Sequence, residues 1–285
     1  MTIKSDILVT GATGNLGREV VARLTAYDVS VRALVREPGT AARLPGVTLA
    51  AGDLSAPGGG LEGSVQGCDT VFLVWPFLTA EHAPAVLDVL ARHVRRVVYV
   101  SSSGVDSRAA RQSDPINQLH ADMEQSIEAS GLEWTFLRAD TLASNARGWA
   151  EQIRSTRAVR GPDTPATAVV HERDVAEAAA LALTDDRHKG ARHVLTGPQV
   201  LSRADLVHAI GEAIGSPTRF EPVPVELARE RMLADGRPPA LVEALLAAAT
   251  DRPASDLVTS TVQDLTGTPA RTFRSWAEEH ADLFH

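Results

Sequence analysis

The stretch Asp6-Ile7-Leu8-Val9-Thr10-Gly11-Ala12-Thr13-Gly14-Asn15-Leu16-Gly17 decides how the chain folds. A short apolar run enters a turn with three glycines, and Val20, Val21 and Leu24 then recur at helical spacing. The order is strand, turn, helix. Gly11 permits a tight reversal, Gly14 lets a pyrophosphate approach the backbone, and Gly17 lets helix and strand pack closely. The N–H groups that open a helix have no intrahelical acceptor, so they are free to meet phosphate. Gly11, Thr13, Gly14, Asn15, Leu16 and Gly17 are therefore expected to hold a dinucleotide.

A second strand over residues 29–35 ends at Val35-Arg36. Binders of NAD place a carboxylate here for the ribose 2′-hydroxyl, whereas binders of NADP lack it and bring a cation to the 2′-phosphate. Neither position carries a carboxylate, and the Arg36 guanidinium is a forked, permanently charged partner for phosphate. NADP(H) is the expected cofactor. The other reading makes Arg36 a solvated surface residue beside Glu37.

Further strands are expected over residues 47–51, 70–74, 96–101 and 134–138, with helices over 83–94 and 116–129. Strands alternating with helices imply right-handed crossovers and a parallel sheet covered on both faces. After residue 138 the alternation fails. Helices are expected over 172–183 and 203–214, a late strand over 193–196 returns to the sheet edge, and 221–251 reads as helices broken by Pro222, Pro224, Pro238 and Pro239. Residues 57–60, Pro-Gly-Gly-Gly, read as a loop. The expected fold is α/β, a Rossmann-type doubly wound parallel sheet with a smaller, mostly C-terminal α/β substrate lobe. The sheet domain spans 1–142, with 166–200 returning to its edge; the lobe comprises 143–165 and 201–285. Such a division suits 285 residues, close to the size of roughly 250–300 at which one core stops growing.

The net charge of −8 and the absence of a long basic run argue against nucleic acid as partner. Cys68 is the single cysteine, so no internal disulfide forms and no oxidising compartment is implied. From Met1 through Lys4 the chain passes straight into the first strand without a signal-peptide pattern, and no apolar run approaches the ~20 residues of a membrane span. A cytoplasmic protein is expected, with a small organic molecule as its partner and no membrane attachment.

Taken in order, residues 10–17, 31–36, 52–54, 71–75, 98–104, 120–124, 130–138, 174–180 and 271–273 resemble the NmrA-like family of atypical short-chain dehydrogenase/reductases. That family includes NAD(P)H:quinone oxidoreductases and NADP-sensing regulators. The resemblance implies that Asp53 and Leu54 border the adenine, that Val74, Trp75 and Pro76 line the middle of the cofactor, and that Ser101 to Ser103 lie near the nicotinamide. Asp174, before an alanine-rich helix, reads as a structural cap.

Relatives that reduce ketones use a Tyr-x-x-x-Lys pair to deliver a proton to the alkoxide. This chain lacks it. Its only tyrosines are Tyr27 and Tyr99, and its only lysines are Lys4 and Lys189. Aligned on Glu124, the pair's positions hold Ile116 and His120, while Ser103 matches the usual serine. His120 is either a replacement proton donor, with an ordinary pKa of ~6.5, or a helix-surface residue. Ser103 and His120 are the candidate catalytic residues; neither a metal-binding spacing nor a Gly-x-Ser-x-Gly elbow is present. Without a strong acid, reduction of a quinone or conjugated enone is favoured over that of a simple ketone, because the new charge spreads into a weaker base. The expected function is an NADPH-dependent reductase of a quinone-like or conjugated substrate. Two alternatives stay open: a non-catalytic NADP(H) sensor with a regulatory protein partner, and a biosynthetic reductase or isomerase of a polycyclic intermediate. Homodimerisation is open as well.

Overall fold

The computed structural model describes residues 6–39, 45–58 and 60–285. Met1, Lys4 and Gly59, named above, lie outside the described residues. The chain begins with β1 (Asp6–Val9), α1 (Asn15–Leu24), β2 (Ser30–Val35), β3 (Thr48–Ala51), α2 (Leu61–Val65), β4 (Thr70–Leu73) and α3 (Ala83–His93). It continues with β5 (Arg96–Ser102), α4 (Pro115–Ala129), β6 (Glu133–Ala139), α5 (Ala150–Thr156), β7 (Ala158–Gly161), α6 (Glu172–Thr184) and β8 (Ala191–Leu195). It closes with α7 (Arg203–Ala213), β9 (Arg219–Pro222), α8 (Val225–Ala234), α9 (Pro239–Asp251), α10 (Thr261–Thr266) and α11 (Phe273–Glu279).

Two compact units result. The first comprises Met1–Ser102, Leu119–Ala139 and Glu172–Val194. Its sheet runs β3-β2-β1-β4-β5-β6-β8, with parallel pairings from β3 through to β6. The strand order therefore reverses beside β1, which lies between β2 and β4, and ligands of open α/β sheets bind at such a point. The central strands are buried on both faces: Ile7, Leu8, Val9, Val71, Phe72, Leu73, Val97 and Val98 are wholly inaccessible. Helix α1 buries Leu16, Gly17, Val20, Val21 and Leu24 along one stripe. It packs against α6, whose small alanine side chains let two helices come close. Arg23 pairs with Glu177 at 2.5 Å and Arg173 with Glu19 at 3.3 Å across that contact. Asp174 stands in the first turn of α6, wholly buried. Cys68 is a packing residue, its thiol pushed up to about 11 first by burial and then by Asp6.

The second unit comprises Ser103–Gln118, Asp140–His171 and Leu195–His285. It is built on the parallel pair β7-β9 and a core in which Trp276 is fully enclosed by Phe273, Phe284, Val207, Ile210 and Ile153. The terminal Arg271-Thr272-Phe273 motif has a structural reason: Thr272 caps α11 by accepting from the Ser275 N–H at 3.1 Å, and Phe273 enters the core. Helices α8 and α9 meet in a small separate cluster around Ala228, Val242 and Leu246. Among the described residues, no helix is long and apolar enough to cross a membrane.

Candidate active site

The glycine turn takes the shape its sequence requires. Gly11 sits at φ +62°, in the left-handed region, and the Gly14 N–H closes the turn onto the Gly11 carbonyl at 2.9 Å. A Cβ on Gly17 would lie 2.1 Å from that carbonyl oxygen, so the helix seats on the turn only because residue 17 has none. Thr10 fixes the neighbouring crevice: its hydroxyl donates to the Val74 carbonyl at 3.1 Å and accepts from the Val74 N–H at 2.8 Å. Val74 in turn packs against Gly11, where a Cβ would come 3.1 Å from the Val74 Cβ. Gly14 stands at the N-cap without a side-chain cap, and no acid occupies the first turn of α1. The first N–H groups therefore stand at a positive helix end whose own first turn carries no carboxylate. Gly11, Thr13, Gly14 and Asn15 are exposed, whereas Leu16 and Gly17 are buried beneath them. This arrangement fits a pyrophosphate.

At the ends of β2 and β3, Val35 is buried and Arg36 exposed. Asp53 accepts from both the N–H and the hydroxyl of Ser55 at 2.8 Å, which lowers its pKa; Arg36 and His82 reinforce that shift. Arg36 thus already has a carboxylate neighbour. Leu54 is buried. After β4, the Trp75 indole donates to the Thr79 carbonyl at 2.9 Å, and Trp75, Phe77 and His82 form an edge-to-face ladder. Pro76 between them is exposed.

Around β5 the structure refines three expectations. Ser101 was expected near the nicotinamide, but its side chain is buried and its hydroxyl donates to Glu124 at 2.5 Å, leaving only backbone for a ligand. Glu124 also takes a forked pair from Arg138, at 2.9 and 2.6 Å, and both residues are buried. His120 is half-buried, and its Nδ1 lies 2.7 Å from the hydroxyl of the wholly buried Tyr99. Ser103 donates to Asp140 at 3.0 Å, while the other Asp140 oxygen accepts from the Thr141 N–H at 2.6 Å. Ser103 belongs to the second unit and His120 to the first. The Tyr99–His120 and Ser103–Asp140 contacts were not legible in the sequence, since nothing local ties residues 21 and 37 positions apart.

A family model described as NAD(P)H-binding matches residues 11–186. The chain is 39% identical to the (4-alkanoyl-5-oxo-2,5-dihydrofuran-3-yl)methyl phosphate reductase of Streptomyces griseus, over 98% of this chain and 99% of that one. It is 33% identical to the NAD(P)H azoreductase of Xenophilus azovorans, over 98% and 99% respectively. In three dimensions it is similar to an NADPH-dependent quinone oxidoreductase of Escherichia coli, with a TM-score of 0.79 and 23% identity, over 98% of this chain and 100% of that one.

Proposed function

Because this chain belongs to the NAD(P)H-binding family of atypical short-chain dehydrogenase/reductases, we propose that it is an NADPH-preferring reductase of conjugated acceptors. By these we mean quinones and carbon–carbon double bonds activated by carbonyl groups. The observation that carries this reading is the missing proton donor. The chain has no Tyr-x-x-x-Lys pair, and the Tyr99 hydroxyl is enclosed within the first unit against His120. A reductase so equipped suits substrates whose reduced form is a weak base. The Streptomyces griseus relative supports the class: the compound it is named for is an unsaturated lactone whose ring double bond bears two carbonyl groups on one carbon. A hydride added to the far carbon of such a bond leaves charge spread over both oxygens.

When bound, NADPH supplies that hydride. On this reading the N–H groups after Gly11 and Gly14 hold the pyrophosphate, Arg36 reaches the 2′-phosphate, and Asp53 and Leu54 border the adenine. Val74, Trp75 and Pro76 line the crevice, and the backbone at Ser101 approaches the nicotinamide. His120 and Ser103 act as hydrogen-bonding helpers, with Ser103 oriented by Asp140. The test is NADPH oxidation across quinones, activated alkenes, azo dyes and simple ketones, with cofactor affinity measured in parallel. Turnover of the first two classes is expected. Tight NADPH binding with no turnover of any class would make the protein a cofactor sensor instead.

Arg36→Ala should remove most of the preference for NADPH over NADH. A charge-assisted contact is worth about 1.5–3 kcal/mol, roughly ten- to a hundredfold in affinity. The nearby Asp53 opposes the phosphate and sets the expectation toward the lower end. Equal wild-type dissociation constants for the two cofactors would refute the role of Arg36.

A further inference from the structure

His188 closes the short helical turn Asp186–His188 that leads into β8, and His193 lies within β8. The two rings meet edge to face with centroids 5.1 Å apart, and Nδ1 of His188 lies 3.2 Å from Nε2 of His193. Both residues are half-buried. The turn is pinned to β6: the His188 carbonyl accepts from the Thr135 hydroxyl at 2.8 Å, and the Gly190 N–H donates to the Trp134 carbonyl at 2.7 Å. His193 rides instead on an outermost strand of the sheet, which has β6 as its one neighbour and buries none of Ala191 to Val194. Such a strand opens at less cost than the centre of a sheet. The imidazole contact therefore ties the least held part of the sheet edge to a part that is held.

We infer that His188 and His193 form a proton-operated latch, which keeps β8 closed at neutral pH and frees it in mild acid. The latch concerns the sheet edge and does not depend on the reduction proposed above. A contact between two ring nitrogens needs one hydrogen between them. Two neutral rings supply it, and so does a pair in which one ring is charged. Two charged rings carry a hydrogen on every nitrogen, so N–H would face N–H at 3.2 Å with like charges side by side. The closed pair thus holds at most one extra proton, and the open pair two.

The surroundings act in the same direction. Burial is the largest cause lowering the pKa of both rings; at His188 Asp185 opposes it while Arg187 and Arg96 reinforce it, and at His193 the reinforcement comes from His188. The other charged groups at this end of the sheet are Arg95, Glu133, Asp186 and Lys189, and on the α4 side Arg192 of β8 engages Glu124 and Glu128. Glu133 and Asp185 keep their charge through mild acid, since hydrogen bonds from Lys189 and Arg187 respectively hold their carboxyl groups down at about 2. The direction of the pH effect follows. Because both closed-state values lie below the ordinary ~6.5 of histidine, the closed form is fully favoured above that pH. Below it the closed form loses ground, about tenfold per pH unit for each proton that only the open form binds.

Amide hydrogen exchange in the full chain tests the latch, followed residue by residue by NMR and corrected for the intrinsic pH dependence of exchange. In the wild type, protection of the β8 amides from Ala191 to Val194 should stay level from about pH 8 to 7 and fall about tenfold or more between about pH 6 and 5. Val71 to Leu73 in central β4 should stay protected throughout. His193→Gln keeps a hydrogen-bonding side chain beside His188 without a second charge, since a charged His188 can donate to the glutamine oxygen. Its β8 protection should stay nearly level over the same range. Wild-type β8 protection that is level into acid, or an equal fall in His193→Gln, would overturn the inference. So would a fall shared equally by β4, which would mean that the whole sheet responds to acid. The wild-type comparison of β8 with β4 decides even if His193→Gln fails to fold.

Discussion

A Gly14→Val protein should fold normally and bind neither NADPH nor NADH. Gly14 lies at φ −78° and ψ 175°, extended backbone that a β-branched residue adopts readily. A Cβ there would meet the Gly11 carbonyl oxygen at 3.2 Å, which has to give by a few tenths of an ångström. The backbone conformation therefore does not demand glycine at 14. What a valine would fill is the space in front of the uncapped N-terminus of α1, where pyrophosphate oxygens need to reach N–H groups. Each lost charge-assisted hydrogen bond is worth about 1.5–3 kcal/mol, so losing two weakens binding by roughly two to four orders of magnitude. Calorimetry checks the affinity and thermal unfolding checks the fold. Gly17→Ala is the contrasting control: its Cβ would collide with Gly11 backbone at 2.1 Å, so stability and binding should fall together. Undiminished affinity in a folded Gly14→Val protein would place the cofactor elsewhere.

The difference between these two glycines shows what was legible in the sequence. The turn from Gly11 to Gly17 is local, and its chemistry depends on residues within one reversal of the chain, so pattern and structure agree closely there. The same holds for the strands whose apolar runs lie between turn signals, including the late return of β8 to the sheet edge. The pair β7-β9 was not legible. Each strand is four residues long, Arg160, Arg219 and Glu221 interrupt any apolar alternation, and the pairing joins residues about sixty positions apart. The site side chains were hidden for a related reason. Most of β5 is buried on both faces, so no periodicity says which way Tyr99 or Ser101 points. Their directions are set by partners from α4, His120 and Glu124, and only the folded chain brings these together.

Quinones and carbonyl-activated alkenes should be turned over about 10²- to 10⁴-fold more efficiently than unactivated ketones, the range that general acid catalysis ordinarily contributes. Reduction of an isolated carbonyl makes an alkoxide, a base too strong to leave unprotonated, and relatives with Tyr-x-x-x-Lys meet that need with a proton delivered in the transition state. Here the Tyr99 hydroxyl is buried 2.7 Å from Nδ1 of His120, and Ser103 directs its own proton to Asp140. Neither is arranged as an acid. A conjugated acceptor removes the requirement, because its charge is delocalised as it forms and a single hydrogen bond is enough to steady it. His120→Ala should then cost about ten- to a hundredfold in kcat on a quinone, the loss of one donor rather than of the reaction. Steady-state kinetics on matched quinone, enone and aliphatic ketone substrates decide the matter. Efficient wild-type turnover of the aliphatic ketone, abolished by His120→Ala, would mean that His120 releases a proton after all. Tyr99 would then have to act as part of a relay, and the missing tyrosine–lysine pair would no longer favour conjugated acceptors.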